Sequence, residues 1–422
     1  MAALTLAAQL TLLLSGCWDR RELEDLGFIL LVGIDRGQQQ AIRVTAQIAI
    51  PSGIAAVGGG GGGAGGGGGD GGGVPVVVTA VEAPSLPAAL DMINTYVSRR
   101  ATLLHLVALV ISEDLARGDA NRYIGATARF REFRRTAYLL VSKGRAEDFV
   151  RALRPRLEKS PAKYLNSILS SYNYTGFILR SQVQQFIVET ESSGHDPIAV
   201  LVAPFARARE TGQPDRSPPD EGSYQAGDVP ATAVTPVQFM GTAVFHDDRL
   251  VGTLDGDETR ALAMIRGEFR RCMFTVTEPV EGKNATLDLR PGRRPSIHIE
   301  WDGRGRPRIS VRLVFDAEAA SVEGTTDYSR PENRKLLEQA AAQKIQDLGR
   351  ETVRKTQQWN ADVFGFGDRA RHNFLRWTDW KAARWLDHYG EAEFNLEVKV
   401  NIRREGFHFA PVHFHPIDEV TR

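Results

Sequence analysis

Phe394-Asn395-Leu396-Glu397-Val398-Lys399-Val400-Asn401-Ile402 alternates apolar and polar residues without a break. A period of two places Phe394, Leu396, Val398, Val400 and Ile402 on one face of a strand and leaves the other face to water. A strand with one wet face needs a partner layer over its dry face. The candidate for that layer lies just upstream. Residues 331–359 read as one long helix, with Leu337, Ala341, Ile345 and Leu348 on a single stripe. Ser329 and Glu332 have capping-box spacing at its start. Further back, Ile297-His298-Ile299-Glu300-Trp301 and Ile309-Ser310-Val311-Arg312-Leu313 alternate around a turn containing Gly and Pro, which predicts an antiparallel hairpin. A sheet with helices on its apolar face makes this part α+β.

Toward the N-terminus, residues 239–245 and 250–254 predict a hairpin around His246-Asp247-Asp248-Arg249, followed by a helix over 258–269. Residues 207–236 are rich in Gly, Pro, Asp and Ser and read as a linker. Before them, strands are expected at 28–35, 41–50, 74–81, 103–111 and 136–142. In the second of these Ile42, Val44, Ala46, Ile48 and Ile50 share a face. Helices are expected at 85–99, at 120–133 and onward to 191. That alternation predicts a mixed α/β domain. Residues 58–73 are glycine except for Ala64 and Asp70. No Gly-Lys-Ser/Thr ending follows, so they read as a flexible insert and not a phosphate cradle.

The chain therefore reads as a multidomain α+β protein, with mixed and antiparallel sheets flanked by helices. The expected divisions are a signal peptide at 1–16, an N-terminal α/β domain at 17–205 and a linker at 206–236. A small middle domain at 237–280, a C-terminal α+β domain at 281–410 and a tail at 411–422 follow. A length of 422 residues suits two or three domains. Acidic and basic residues balance at 52 each. That balance argues against a general nucleic-acid binder, which carries a basic excess or stripe.

The N-terminus is built for export. Residues 4–14 are mostly apolar but too short for a hydrocarbon core, which needs about 20 residues. Their length suits the apolar region of a signal peptide. They run into Leu14-Ser15-Gly16-Cys17, a lipobox: an aliphatic residue, two small residues and a cysteine. Cys17 is the expected acceptor of a diacylglyceryl group and the first residue after cleavage. No Lys or Arg precedes Arg20, so the true start is expected upstream of Met1. The chain has two cysteines, too few for a disulfide framework. Cys272 reads as a small residue in a partly buried strand.

Other candidate chemistry is thin. Asp255, Asp257 and Glu258 lack the spacing of a calcium loop and read as acids at a helix start. His408, His413 and His415 have no acid or cysteine at ligand spacing, so no metal is expected. No cofactor is expected either. Phe364, Phe366, Trp377, Trp380 and Trp385 read as core beneath the long helix or, alternatively, as a partner-contact surface. Trp18 is a further candidate contact, either at the membrane interface or within an ordinary tether. Gly-x-Ser-x-Gly and His-Glu-x-x-His do not occur in the sequence, and no glycine-rich stretch reads as a dinucleotide fingerprint.

Three stretches carry a family resemblance. Cys17-Trp18-Asp19-Arg20-Arg21-Glu22-Leu23, with Gly33-Ile34-Asp35 after it, resembles the opening of the Ger(x)C spore germination lipoproteins. Gly241-Thr242-Ala243-Val244-Phe245 with Leu250-Val251-Gly252-Thr253-Leu254 is similar to a second segment of that family. Ala361-Asp362-Val363-Phe364-Gly365-Phe366-Gly367, followed by Trp377 and Trp380, is similar to a third. The polyglycine insert departs from the family pattern. The resemblance implies a three-domain α+β lipoprotein without catalytic activity on the outer face of the spore's inner membrane. It implies partnership with the integral-membrane A and B subunits of a nutrient germinant receptor. The competing expectations are a solute-binding lipoprotein, which would show two similar α/β lobes around a cleft, and a cell-wall hydrolase, which would need a carboxylate or zinc site.

Overall fold

The computed structural model describes residues 25–49, 76–118, 120–158, 160–205, 221–231, 235–302 and 306–404. Its first strands are β1 (Leu26–Arg36), β2 (Ile42–Ala49) and β3 (Val76–Ala83), followed by helix α1 (Leu86–Ile93). Strands β4 (Arg100–Thr102) and β5 (Ala108–Ser112) lead to α2 (Glu113–Ala116) and α3 (Ala120–Ala128). Strand β6 (Tyr138–Ser142) precedes α4 (Ala146–Ala152), α5 (Pro161–Leu169) and α6 (Val183–Thr190). Strands β7 (Ile198–Pro204), β8 (Val237–His246) and β9 (Arg249–Leu254) complete a nine-stranded sheet ordered β3-β2-β1-β5-β6-β7-β8-β9, with β4 on the start of β1.

That sheet is mixed. Its centre, β1-β5-β6-β7, is parallel, and antiparallel pairs extend it at both ends. Parallel strands are covered on both faces, which explains why the Ala108–Ser112 strand is buried along its whole length. Residues of α1, α3 and α6 cover one face through Leu90, Ile124 and Phe186. Residues of α4 and α5 cover the other through Phe149 and Leu165. Burial on both faces also overrides the alternation expected of β2: Gln47 is buried, and its amide donates to Leu153 O at 2.9 Å.

A buried helix, α7 (Gly256–Arg266), leads to a second sheet of five strands. These are β10 (Cys272–Thr277), β11 (Asn284–Pro291), β12 (Ser296–Trp301), β13 (Pro307–Val322) and β14 (Glu393–Arg404). β12 and β13 form the expected antiparallel hairpin, and β14 runs parallel along the other edge of β13. The long helix is α8 (Pro331–Gln358), and its Leu337, Ala341 and Ile345 meet Leu396, Val400 and Ile402 of β14 in one core. The chain returns to β14 through α9 (Phe366–Ala370), α10 (Trp377–Ala383) and α11 (Trp385–His388).

Several expectations change. The strand expected at 103–111 is confined to β5 (Ala108–Ser112), because the chain turns at Leu104 and His105 after the short β4. Helix α1 stops at Ile93, where the Asn94 carboxamide oxygen turns outward to accept the Ala101 amide. The capping box expected at Ser329 and Glu332 does not form. The hydroxyl of Ser329 donates to Asp327 instead, and Arg330 and Pro331 open the helix. Leu348 is only half-buried, and Gly349 takes the inner position, since an added Cβ there would lie 2.5 Å from Leu396 Cδ2.

Residues 237–280, expected as a small middle domain, divide between the two sheets: β8 and β9 extend the first and β10 begins the second. In the stretch expected to be a linker, Ala226 is buried and its amide donates to Met240 O. The two layers are unlike each other, one mixed with covered faces and one largely antiparallel under a single long helix. They do not form the paired lobes that a solute-binding protein would show.

Candidate functional site

The residues that join the two sheets are concentrated on α7 and on two turns facing each other beside it. Asp255-Gly256-Asp257-Glu258 starts α7 with a capping box. Asp255 Oδ1 accepts the Glu258 amide at 2.8 Å, and Glu258 Oε2 accepts the Asp255 amide at 2.9 Å. The three acids thus sit at a helix start, as their spacing suggests. Burial pushes the Asp255 carboxyl up to about 6. Residues Gly256 to Ile265 are all buried, so every polar group on the helix needs a partner. Glu258 takes Lys355 of α8 at 2.7 Å. Arg260 donates to Thr175 O and to Asp257, and its guanidinium lies 3.9 Å from the Phe177 ring centre. Thr259 and Thr242 share a hydrogen bond across to β8 at 2.9 Å. Arg266 pairs with Glu189 of α6 and with Glu268, and it donates to Val363 O.

The second group is the turn Ala361-Asp362-Val363-Phe364-Gly365-Phe366-Gly367 against the turn Ser192-Ser193-Gly194-His195-Asp196 before β7. Asp362 is fully buried. Its Oδ1 accepts the amides of Phe364 and Phe366, both at 3.2 Å. Its Oδ2 accepts the Gly367 amide and the Trp385 indole, both at 2.8 Å. The two turns are stitched by backbone as well. The Asp196 amide donates to Asp362 O at 2.8 Å, and the Asp362 amide donates to Asp196 Oδ2 at 2.9 Å. Trp380 Nε1 donates to Ser193 Oγ at 2.8 Å.

This joint is possible only with glycine at its contact point. A Cβ on Gly367 would lie 2.4 Å from Trp385 Cδ1 and 2.5 Å from Gly194 O, and one on Gly194 would lie 2.8 Å from the Gly367 carbonyl carbon. Gly365 adopts a left-handed φ of 70°. Burial raises the Asp362 carboxyl to about 6, against the pull of His195, the Gly367 amide and the Trp385 indole. His195 is pulled down by burial, but Asp368 at 3.3 Å and Glu189 at 3.7 Å more than offset this and its pKa is raised. Both carboxylate oxygens of Asp362 are occupied by donors of the same chain, whereas Glu189 Oε2 and His195 Nε2 beside it are buried without a hydrogen-bond partner.

The other resembling stretches do comparable work. Asp35 of Gly33-Ile34-Asp35 is buried and caps α4 from a distant strand: its oxygens accept the Ala146 and Glu147 amides at 2.7 and 2.9 Å. Gly33 lets that helix approach, since a Cβ there would meet Val150 Cγ2 at 3.0 Å. Gly241 has φ 96° and sits against Leu254 O. Gly252 receives the Trp359 indole at the end of α8, where a Cβ would lie 2.3 Å from Cζ2.

Of the candidate contact residues, Phe364 and Phe366 are stacked at 5.1 Å between ring centres and buried, and Trp380 is 2% exposed. These three are core and are not available to a partner. Trp377 is 49% exposed, between Arg371 and Lys381, and the neighbouring Leu375 is fully exposed. Cys17, the lipobox residues Leu14, Ser15 and Gly16, Trp18, and His408, His413 and His415 lie outside the described residues. Cys272 is completely buried, deeper than expected, and burial pushes its thiol up to about 12. The Ser192–Asp196 turn had no reading in the sequence. Its only signal was the Ser-Ser-Gly run, which marks a turn but not the turn's partner.

Two family profiles match the chain. One is described as the spore germination protein N-terminal domain and covers residues 19–204; the other, described as spore germination B3/GerAC like, C-terminal, covers residues 240–406. The chain is 27% identical over 417 residues to spore germination protein KC of Bacillus subtilis (strain 168), covering 95% of each chain. It is 19% identical over 396 residues to spore germination protein B3 of the same organism, covering 93% of this chain and 94% of that one. The crystal structure of the GerBC protein has the same fold, with a TM-score of 0.51 at 14% identity, over 91% of this chain and 100% of that chain. The first profile stops at the end of β7 and the second begins within β8, yet these strands are paired. The second segment therefore lends two strands to the first segment's sheet.

Proposed function

Because this chain belongs to the GerAC-like family of spore germination proteins, we propose that it acts as the lipid-anchored, non-enzymatic C subunit of a nutrient germinant receptor, assembled with integral-membrane A and B subunits. The observation that carries this reading is the use made of the family stretches. Asp35, Gly241, Gly252, Asp362 and Gly367 all close buried contacts within the chain. Such use favours a protein that works by presenting a fixed shape to partners. Among the described residues, no helix is long and apolar enough to cross a membrane. In our reading the hold on the bilayer comes from Cys17: each buried acyl CH₂ contributes about 0.8 kcal/mol, and two chains give firm attachment. The first strand begins at Leu26, so the segment from Cys17 can reach at most roughly 30 Å at ~3.3–3.6 Å per residue. The body is thereby confined near the outer face of the spore's inner membrane, within reach of embedded subunits. Trp377 and Leu375 are exposed apolar residues suited to such a contact.

The test is copurification. An affinity-tagged chain is solubilised from spore membranes in mild detergent, and its companions are identified by mass spectrometry. Two multi-span membrane proteins retained in stable proportion support the proposal. Recovery of the chain alone, together with tight binding of a nutrient to the isolated chain by titration calorimetry, overturns it in favour of direct solute capture.

A further inference from the structure

A groove of about 450 Å³ opens where the end of α7, the turn between β11 and β12, and α9 come together on the second sheet. Its apolar floor includes Phe269 and Phe315, and four exposed arginines line it: Arg270, Arg293, Arg294 and Arg369. They come from three separate parts of the chain. Arg270 precedes β10, Arg293 and Arg294 belong to the Pro291-Gly292-Arg293-Arg294-Pro295 turn, and Arg369 lies on α9. The turn is fixed to the sheet, because the Gly292 and Arg293 amides both donate to Val314 O, at 2.8 and 3.3 Å.

The acids of this region are already engaged. Asp288 holds Arg271 and Arg290, Asp316 holds Arg403, and Glu268 and Glu189 hold Arg266 at the base of the groove. Among the described residues, no carboxylate pairs with Arg270, Arg293, Arg294 or Arg369. Four unmatched positive charges thus face one concavity of a chain whose net charge is zero. The C-terminus of α7, where carbonyls would repel an anion, is closed off: the Glu268 and Phe269 amides both donate to Ala263 O, at 2.9 and 3.0 Å. Planar guanidinium forks arranged around a cleft match the oxygens of a phosphate group.

We propose that this groove binds a phosphate-bearing anion, either the headgroup of an anionic phospholipid or a soluble phosphate compound. The site stands independently of the receptor reading, since it rests only on the arginines and their missing partners. The test uses the full chain carrying Cys17→Ser, so that no acyl chain confuses the result. Its binding is measured to phosphatidylcholine vesicles with and without phosphatidylglycerol, and separately to inorganic pyrophosphate. Two double variants, Arg293→Gln with Arg294→Gln and Arg270→Gln with Arg369→Gln, are compared with a control, Arg308→Gln with Arg312→Gln. The control arginines are also exposed but pair with Glu393 and Glu397.

Each groove variant is expected to weaken binding roughly tenfold or more while the control changes little, given the share one arginine contributes at an anionic surface. Binding to phosphatidylglycerol vesicles alone assigns the site to a headgroup, and binding to pyrophosphate assigns it to soluble phosphate. Binding to neither probe overturns the proposal, as does a loss in the control equal to that in the groove variants. All the substituted arginines are exposed, and unchanged thermal unfolding confirms that the variants fold.

Discussion

Replacing Asp362 with Ala removes the acceptor at the centre of the joint between the sheets. Four donors lose their partner: the amides of Phe364, Phe366 and Gly367 and the Trp385 indole. Each is buried with no route to water, and an abandoned buried donor costs about 1–3 kcal/mol, so the gross loss is roughly 4–12 kcal/mol. Part of it is offset, because the carboxylate is itself expensive to bury. Its rise from 3.8 to about 6 corresponds to about 3 kcal/mol at neutral pH, which the substitution relieves. The net destabilisation is therefore roughly 1–9 kcal/mol, about 5 kcal/mol at the middle of that range. Urea unfolding followed by tryptophan fluorescence measures it, since Trp385 and Trp380 report directly on the joint. Uncoupling should also broaden or split the transition, as the two sheets lose their shared cooperativity.

Stability should also depend on pH through Asp362. The folded pKa of Asp362 lies above the ordinary aspartate value, so the folded state binds this proton more tightly than the unfolded state. The resulting stability is fully present below about pH 4 and is lost as pH rises through about 6. The gap between wild type and Asp362→Ala should accordingly widen by up to about 3 kcal/mol as pH falls from 7 to 4. A loss below about 1 kcal/mol at pH 7, with a single unchanged transition, would refute the assignment of Asp362 as the joint's keystone.

Gly367→Ala should destabilise by about 2–4 kcal/mol in thermal unfolding, because its Cβ meets the Gly194 backbone and cannot move aside. Gly118→Ala, whose nearest neighbour is Leu115 O at 3.4 Å, should stay within about 0.5 kcal/mol. Asp35→Ala strips two amides of their cap at the start of α4 and should cost about 1–3 kcal/mol, with hydrogen exchange rising first at Ala146 and Glu147. Cys272 should resist alkylation by iodoacetamide at pH 8 in the folded protein and react promptly in denaturant. Modification at equal rates in both states would show that its burial is wrong.

The periodic parts of the fold were legible because period is what burial on one face produces. The strands at 297–301, 309–313 and 394–402 and the Leu337, Ala341 and Ile345 stripe on the long helix have one wet side, and they emerged as read, apart from Leu348, whose inner place Gly349 takes. Where burial is two-sided, period carries little information. Gln47 sits in the core of β2 only because a helix covers the face that alternation assigned to water. The joint was harder still. Asp362 and Gly367 stood out in a recognisable stretch, but what they bind is set by Gly194 and Asp196, far away in sequence. No local pattern reveals that two turns will meet. The same limit hid the sheet's continuation from β7 to β8 across a Gly- and Pro-rich stretch that resembles a linker. The aromatic cluster was ambiguous for a related reason: Trp377 and Trp380 lie three residues apart on one short helix, yet only the second faces the core.

The most direct test is Cys17→Ala in the native setting, read by metabolic labelling with palmitate, by membrane fractionation and by nutrient-triggered germination. Our account predicts loss of label, release of the chain from the membrane fraction and a failure of germination through this receptor, with the isolated body still folded. A variant that stays as firmly membrane-bound as the wild type and germinates normally would contradict it.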